Sequence, residues 1–261
     1  TVTLKADWLS TCLSSAGEVG KCGRYVNSAS SATALSTTVT LDADIDLGAL
    51  PQGVVPIGKG FAGVFDGRGH RLTNLKVRSA DQYAGLFGYV TQGLVIRNLV
   101  LSSTSSVVST CTKSSYVGAL VGQAYYSSSS SSSSHLAIEN CVNMASVTFA
   151  GNGLGYTVYV GGLIGNFNGY SGGYLTIKNC ANFGTVDQSG TSNYTYLGGL
   201  SGYVYTRNSS DLVRTKVLNT INYGQVKVSG TVHKSSYIGG LFGQIHEYFT
   251  VINCVSAYND N

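Results

Sequence analysis

Few side chains in this sequence could do chemistry, and they are scattered. Asp42, Asp44 and Asp46 alternate with apolar residues, so on a strand all three would share one face. Such a trio could hold a cation or supply the acid and base of a glycosidase. The same spacing is also the ordinary pattern of a half-buried strand, with Ala43, Ile45 and Leu47 turned inward and the acids in water. We adopt that second reading. Asp66, in Phe65-Asp66-Gly67, suits a turn brace better than a substrate-facing acid. His70 is read as structural. The twelve acids concentrate toward the two ends, leaving Glu139, Asp187 and Asp211 in the middle. No Ser-His-Asp or Cys-His set can be assembled from the spacing, and there is no Cys-x-x-Cys zinc signature. The glycine-rich phrases lack the Lys-Ser or Lys-Thr pair of a phosphate loop. No catalytic, cofactor-binding or metal-ligating residue is assigned, and no enzymatic activity is expected.

The elements that would have to position a site are repeats. Tyr83-Ala84-Gly85-Leu86-Phe87-Gly88 returns as Tyr116-Val117-Gly118-Ala119-Leu120-Val121-Gly122. It returns again at Tyr159–Gly165, Tyr196–Gly202 and Tyr237–Gly243. Self-similarity at this period marks a repeat architecture. A second phrase travels with it and centres on Asn74, Asn98, Asn140, Asn179, Asn219 and Asn253. The first pair is 24 residues apart (98 − 74), and the later steps are longer and uneven. A fixed motif with a variable remainder predicts one coil of a β-solenoid per repeat, with loops of different length. The six asparagines are placed in one column, as a buried corner ladder of side-chain amides. The column after it, Leu75, Leu99, Cys141, Cys180, Thr220 and Cys254, is read as core. Glu139 and Lys178 then fall opposite each other in successive coils.

The Tyr-x-Gly-Gly-Leu-x-Gly phrases resemble the GLUG repeat of bacterial and protist surface proteins. The lead-in, Val39-Thr40-Leu41-Asp42-Ala43-Asp44-Ile45-Asp46-Leu47, then Pro56-Ile57-Gly58, then Phe61 to His70, resembles the strand that opens such arrays. The same order is similar to the non-catalytic N-terminal region of IgA-protease-type surface proteins. The resemblance covers residues 39–261. It implies a secreted or cell-surface protein, and it carries no activity of its own.

The expected fold is all-β, a single-stack parallel β-helix of about seven coils, right-handed by the usual chirality of parallel crossovers. Residues 1–38 are read as an N-terminal cap over the exposed first coil. Trp8 and a local Cys12–Cys22 disulfide would pin it. Cys141 and Cys180 occupy equivalent positions one coil apart, about 4.8 Å. That separation fits either a disulfide or a pair of stacked core thiols. Thiols are favoured because the position is core and free Cys packs there as a small hydrophobe. Cys254 is two coils from Cys180 and should not pair with it; the partner of Cys111 is left open.

Composition narrows the setting. Only 11% of residues are charged against 43% hydrophobic, so solubility must lean on Ser, Thr, Asn and Tyr. The net charge of +4 is spread without a basic run, which argues against nucleic acid, and no apolar run approaches a membrane span. The chain opens at Thr1 without an initiator Met or signal peptide, as expected of a processed product. Sequons at Asn193 and Asn208 fall between core phrases and are possible glycosylation sites in surface loops. Ser127 to Ser134 is a low-complexity loop. Phe167, Tyr170 and Tyr174 sit in or beside a Gly-rich loop and could stack on sugar rings. The repeat tyrosines are read as scaffold. Two functions are carried forward. One is a non-catalytic structural or adhesive module that associates end to end or docks on an adjacent domain. The other is a carbohydrate-binding or polysaccharide-cleaving β-helix.

Overall fold

A computed structural model describes residues 2–4, 38–48, 61–126, 134–170, 173–207, 214–246 and 248–257. Among these residues every regular element is a strand, and every strand pairing is parallel. One coil shows the plan. Leu94–Arg97, Val100–Leu101, Ser106–Ser109, Ser115–Gly118 and Val121–Tyr125 follow in order, and each adds to a different sheet. We call these the first to fifth sheets. They hold eight, seven, five, five and five strands. The expected all-β stack of parallel coils is met.

Alternation builds the core. On the third sheet Val77, Val107, Val147 and Val186 register on one another and are all buried. On the first sheet the column runs Phe65, Ile96, Ile138, Ile177, Val217, again buried. Like side chains stack on like, which fills the interior with few voids. The phrase leucines, Leu86, Leu120, Leu163 and Leu200, are buried at the turn from fourth to fifth sheet. Even this turn is paired between coils: Leu86 N–H donates to Ala119 O, and Leu163 N–H to Leu200 O.

The repeat glycines are not left-handed turn residues. Positive φ falls at Gly63, Gly69 and Gly155, none of them in the phrase. The phrase glycines are needed because two backbones meet. A Cβ on Gly118 would lie 2.3 Å from Val121 O and 2.6 Å from Gly165 N. One on Gly165 would lie 2.5 Å from both Gly122 O and Val117 N. The fourth and fifth sheets therefore fold against each other at bare backbone.

The structure revises the asparagine column. Asn98, Asn140, Asn179, Asn219 and Asn253 do form a ladder. Each Nδ2 from Asn140 onward donates to Oδ1 of the preceding Asn, at 3.1, 3.1, 3.2 and 3.2 Å. The ladder is not buried: Asn140, Asn179, Asn219 and Asn253 are exposed. Each member sits at φ 49–53, the left-handed region that Asn tolerates best among non-glycine residues. Asn74 does not belong to it. Register places Val100 on Arg71, so Asn74 lies at the next corner, where its Nδ2 donates to Asp46 Oδ1 at 2.7 Å. Arg68, at φ 51, takes the left-handed corner that precedes Asn98, and Asp66 terminates the ladder by accepting from Asn98 Nδ2.

The buried amide ladder is a different one. Asn143, Asn182 and Asn222 are almost fully buried on the second sheet and register in line. Asn143 Nδ2 donates to Asn182 Oδ1, and Asn182 Nδ2 to Asn222 Oδ1, both at 2.8 Å. Each Nδ2 also reaches a carbonyl two residues on: Ala145, Gly184 and Gly224.

The expected cap, residues 1–38, lies almost wholly outside the described residues. Val2–Leu4 pairs in parallel with the strand at Thr38–Leu41, as the outermost member of the first sheet. Cys12, Cys22, Asn208 and most of the serine run lie outside the described residues. Cys111, Cys141, Cys180 and Cys254 are free thiols, the first three of them buried. Cys141 and Cys180 donate to main-chain carbonyls, including Glu139 O and Lys178 O, at 3.2 Å each. The neighbouring Cys180 thiol, and then burial, push the Cys141 thiol well above its ordinary range.

Candidate functional site: an aromatic trough between two sheets

The outward-facing column of the fourth sheet is Tyr83, Tyr116, Tyr159, Tyr196 and Tyr237. Their rings stack along the axis with centroids 5.5, 5.1, 5.0 and 4.6 Å apart. The facing column of the fifth sheet is Tyr89, Gln123, Asn166, Tyr203 and Gln244. The two columns touch. Tyr83 stacks on Tyr89 at 4.6 Å, Tyr196 packs edge-on to Tyr203 at 5.3 Å, and Tyr159 meets Tyr203 at 5.8 Å. Outward side chains of two sheets diverge at a convex corner; here they converge, so the surface is concave along this line. Gln123 and Asn166 are buried on its floor and hydrogen-bond each other, while the tyrosines are mostly half-buried. Burial raises the phenol pKa of Tyr83, Tyr89, Tyr116, Tyr159, Tyr196 and Tyr203, which keeps these groups as neutral hydroxyls.

Beyond the floor lies a second outward column, Tyr125, Asn168, Tyr205 and His246. Asn168 Oδ1 is buried, with no donor among the described residues. Tyr205 stacks on Tyr170 at 6.2 Å, and Arg207 covers Tyr170, donating from Nη1 to its hydroxyl at 3.1 Å.

The expected sugar-stacking trio is not brought together. Phe167 is fully buried core, packed edge-on to Tyr126 at 5.7 Å, because it points inward from the fifth sheet. Tyr170 is exposed beside the trough. Tyr174 opens a first-sheet strand and stacks on His135 at 4.1 Å. The tyrosines read as scaffold stack in register along the axis and also form the trough wall. The floor column went unnoticed, although each member directly follows the last glycine of a phrase. Asn193 lies not in a loop but in the strand Thr191–Gly198, half-buried, accepting from Gly155 N–H at 3.2 Å.

The acids act as braces. Asp42 and Ala43 lie in a bend and are exposed, so the three alternating acids do not share one strand, and Ala43 does not reach the core. Asp44 accepts from Arg71 N–H at 3.0 Å and meets His70 Nδ1 at 3.2 Å. Asp46 accepts from Asn74 Nδ2 and Gly48 N–H. Asp66 Oδ1 accepts from Arg68 N–H, and its Oδ2 pairs with Arg97 Nε at 2.8 Å. Burial works against ionisation of Asp66, but Asn98, Arg68 and Arg97 outweigh it and hold the carboxyl below its ordinary range. Glu139 stands in register between Arg97 and Lys178. Among the described residues no three His, Cys, Asp or Glu gather as a metal site.

No protein-family model matches the sequence, and no curated protein matches it. The GLUG resemblance therefore rests on the phrases themselves. Among solved structures the chain is similar to that of a Bacteroides ovatus protein described as a "putative immunoglobulin A1 protease". The TM-score is 0.61 at 23% identity, over 87% of this chain and 61% of the other. The likeness is one of fold: a β-helix shared with a protein of which this chain spans 61%.

Proposed function

We propose that the chain is a non-catalytic structural or adhesive β-solenoid module of a secreted or cell-surface protein. The observation that carries this reading is the use made of the acids. Asp44, Asp46 and Asp66 each accept from a backbone N–H and from a neighbouring side chain. Asp187 is likewise engaged by Ser229 and Lys227. A catalytic carboxylate needs lone pairs and a proton free for substrate, and these are committed to holding corners. The name of the structural neighbour is in keeping with a secreted or surface setting and raises proteolysis as the competing activity. Incubation of the purified chain with immunoglobulin A1, and with chitin, cellulose and pectin, tests this. No product is expected. Turnover abolished by Asp44→Asn or Asp66→Asn would contradict it.

A second observation favours association through the coil at residues 226–257. Columns buried in earlier coils are open here. Ile238 is 52% exposed where its register partner Leu197 is 0%, and Val251 is 43% exposed where Val217 is 0%. Each sheet also presents an edge strand on this side. Parallel edges with an apolar interior are satisfied by another β-coil, and we propose that a neighbouring coil covers this face, from a second copy stacked end to end or from an adjacent domain.

A further inference from the structure

We propose that the trough between the fourth and fifth sheets binds a neutral, β-linked glycan laid along the solenoid axis. The inference supplies the adhesive reading with a ligand and draws its biological sense from it, while its geometry stands alone.

Spacing selects the ligand. The trough offers one rung per coil, with ring centroids 4.6 to 5.5 Å apart. An extended peptide lying along the axis repeats its side every two residues, about 6.6 Å, and falls out of step within a few rungs. A β-linked pyranose chain advances by about one sugar ring at a time and turns the equatorial hydroxyls at its ring edges toward successive rungs. Chemistry agrees with spacing. The walls supply phenol hydroxyls and ring edges, over nearly buried carboxamides of Gln123 and Asn166 that already bond each other. Hydroxyl and amide groups beside apolar edges are what an uncharged sugar uses. Among the described residues of the two facing columns, none is charged. The nearby cations are already placed on rings, Lys234 over Tyr194 and Arg207 over Tyr170. A polyanion would find little to pair with. In the adjoining column Asn168 Oδ1 has no donor among the described residues, and a polyhydroxylated ligand brings donors.

Calorimetric titration with chitohexaose and cellohexaose, against α-linked maltohexaose, tests the assignment. At least one β-linked hexaose should bind, and maltohexaose should bind about tenfold more weakly or not at all, a preference worth little more than one hydrogen bond. Tyr116→Phe/Tyr159→Phe keeps the ring stack and removes two hydroxyls; affinity should fall by about fivefold per hydroxyl. Phe183→Ala/Tyr223→Ala removes an exposed stacked pair on another face and should leave affinity unchanged. Circular dichroism melts check that each variant folds. Absence of binding to both β-linked hexaoses, or unaltered affinity in the folded Tyr→Phe variant, overturns the proposal. Chromatography of the same mixtures separates the two readings. Shortened sugars would end the non-catalytic reading while leaving the trough as the binding site.

Discussion

Single side chains in this molecule work by stacking on their own equivalents, and the two asparagine ladders show that equal residues can do unequal work. Asn182 is buried and holds Gly184 N–H, Gly184 O and Asn222. Asn182→Ala strands those partners and should cost about 2–4 kcal/mol in urea unfolding. Asn179 is exposed and valued for its φ of 52. Asn179→Gly should stay within about 1 kcal/mol of the parent, because the two rung bonds lost, to Asn140 and from Asn219, are both exposed. Asn179→Ala should cost about 1–2 kcal/mol from left-handed strain. His135 is shielded by burial, which lowers its pKa from 6.5 to about 4. Its ring is stacked on Tyr174 and bonded through Nε2 to Thr176 Oγ1. Between those values the unfolded chain takes up a proton that the folded chain refuses, so stability should fall as pH drops through the window. His135→Gln should flatten that fall. The depressed Asp66 acts lower. Its contribution is present above the unfolded value near 3.8 and is lost as pH falls below it, and Asp66→Asn should remove only this acid limb. The surface ladder was legible because the same letter recurs. The buried ladder was equally repeated, three residues later, but the eye stopped at the first column. Asn74 was misassigned because identity was read without register.

Among the elements, the turn between fourth and fifth sheets decides the shape. Its glycines mark a place where two backbones leave no room for a side chain. Gly161→Ala would put a Cβ 2.0 Å from Ile164 O and 2.8 Å from Gly202 N, and should cost about 3 kcal/mol or more. Gly93→Ala meets nothing closer than 3.7 Å and should fall within about 1 kcal/mol of the parent. Thermal or urea unfolding of the pair separates close approach from a general need for flexibility. The phrase was readable from sequence; its reason was not, because contacts between sheets of successive coils are absent from any single repeat. For the same reason Phe167 was taken for a surface aromatic. The glycines around it suggest a loop, while strand parity turns the ring inward.

At the scale of the whole molecule, a continuous stack of coils follows from the repeat and was expected from it. Uneven spacing was expected to be loops, and the intervals from Tyr125 to His135 and from Thr206 to Thr215 both fall between a fifth-sheet and a first-sheet strand. The trough itself was not foreseen, because it needs two sheets to converge, and convergence is set by the glycine contacts. The exposed coil at residues 226–257 carries the structural claim: if the chain is a module that works by stacking, this face should find another like it. Multi-angle light scattering over a rising concentration series tests that claim most directly. The account predicts a mass that climbs with concentration for the parent chain and stays at one chain for Ile238→Asp/Val251→Asp, which charges the open face. A parent chain that remains monomeric at the highest concentration reached, with the same mass as the charged variant, would contradict it.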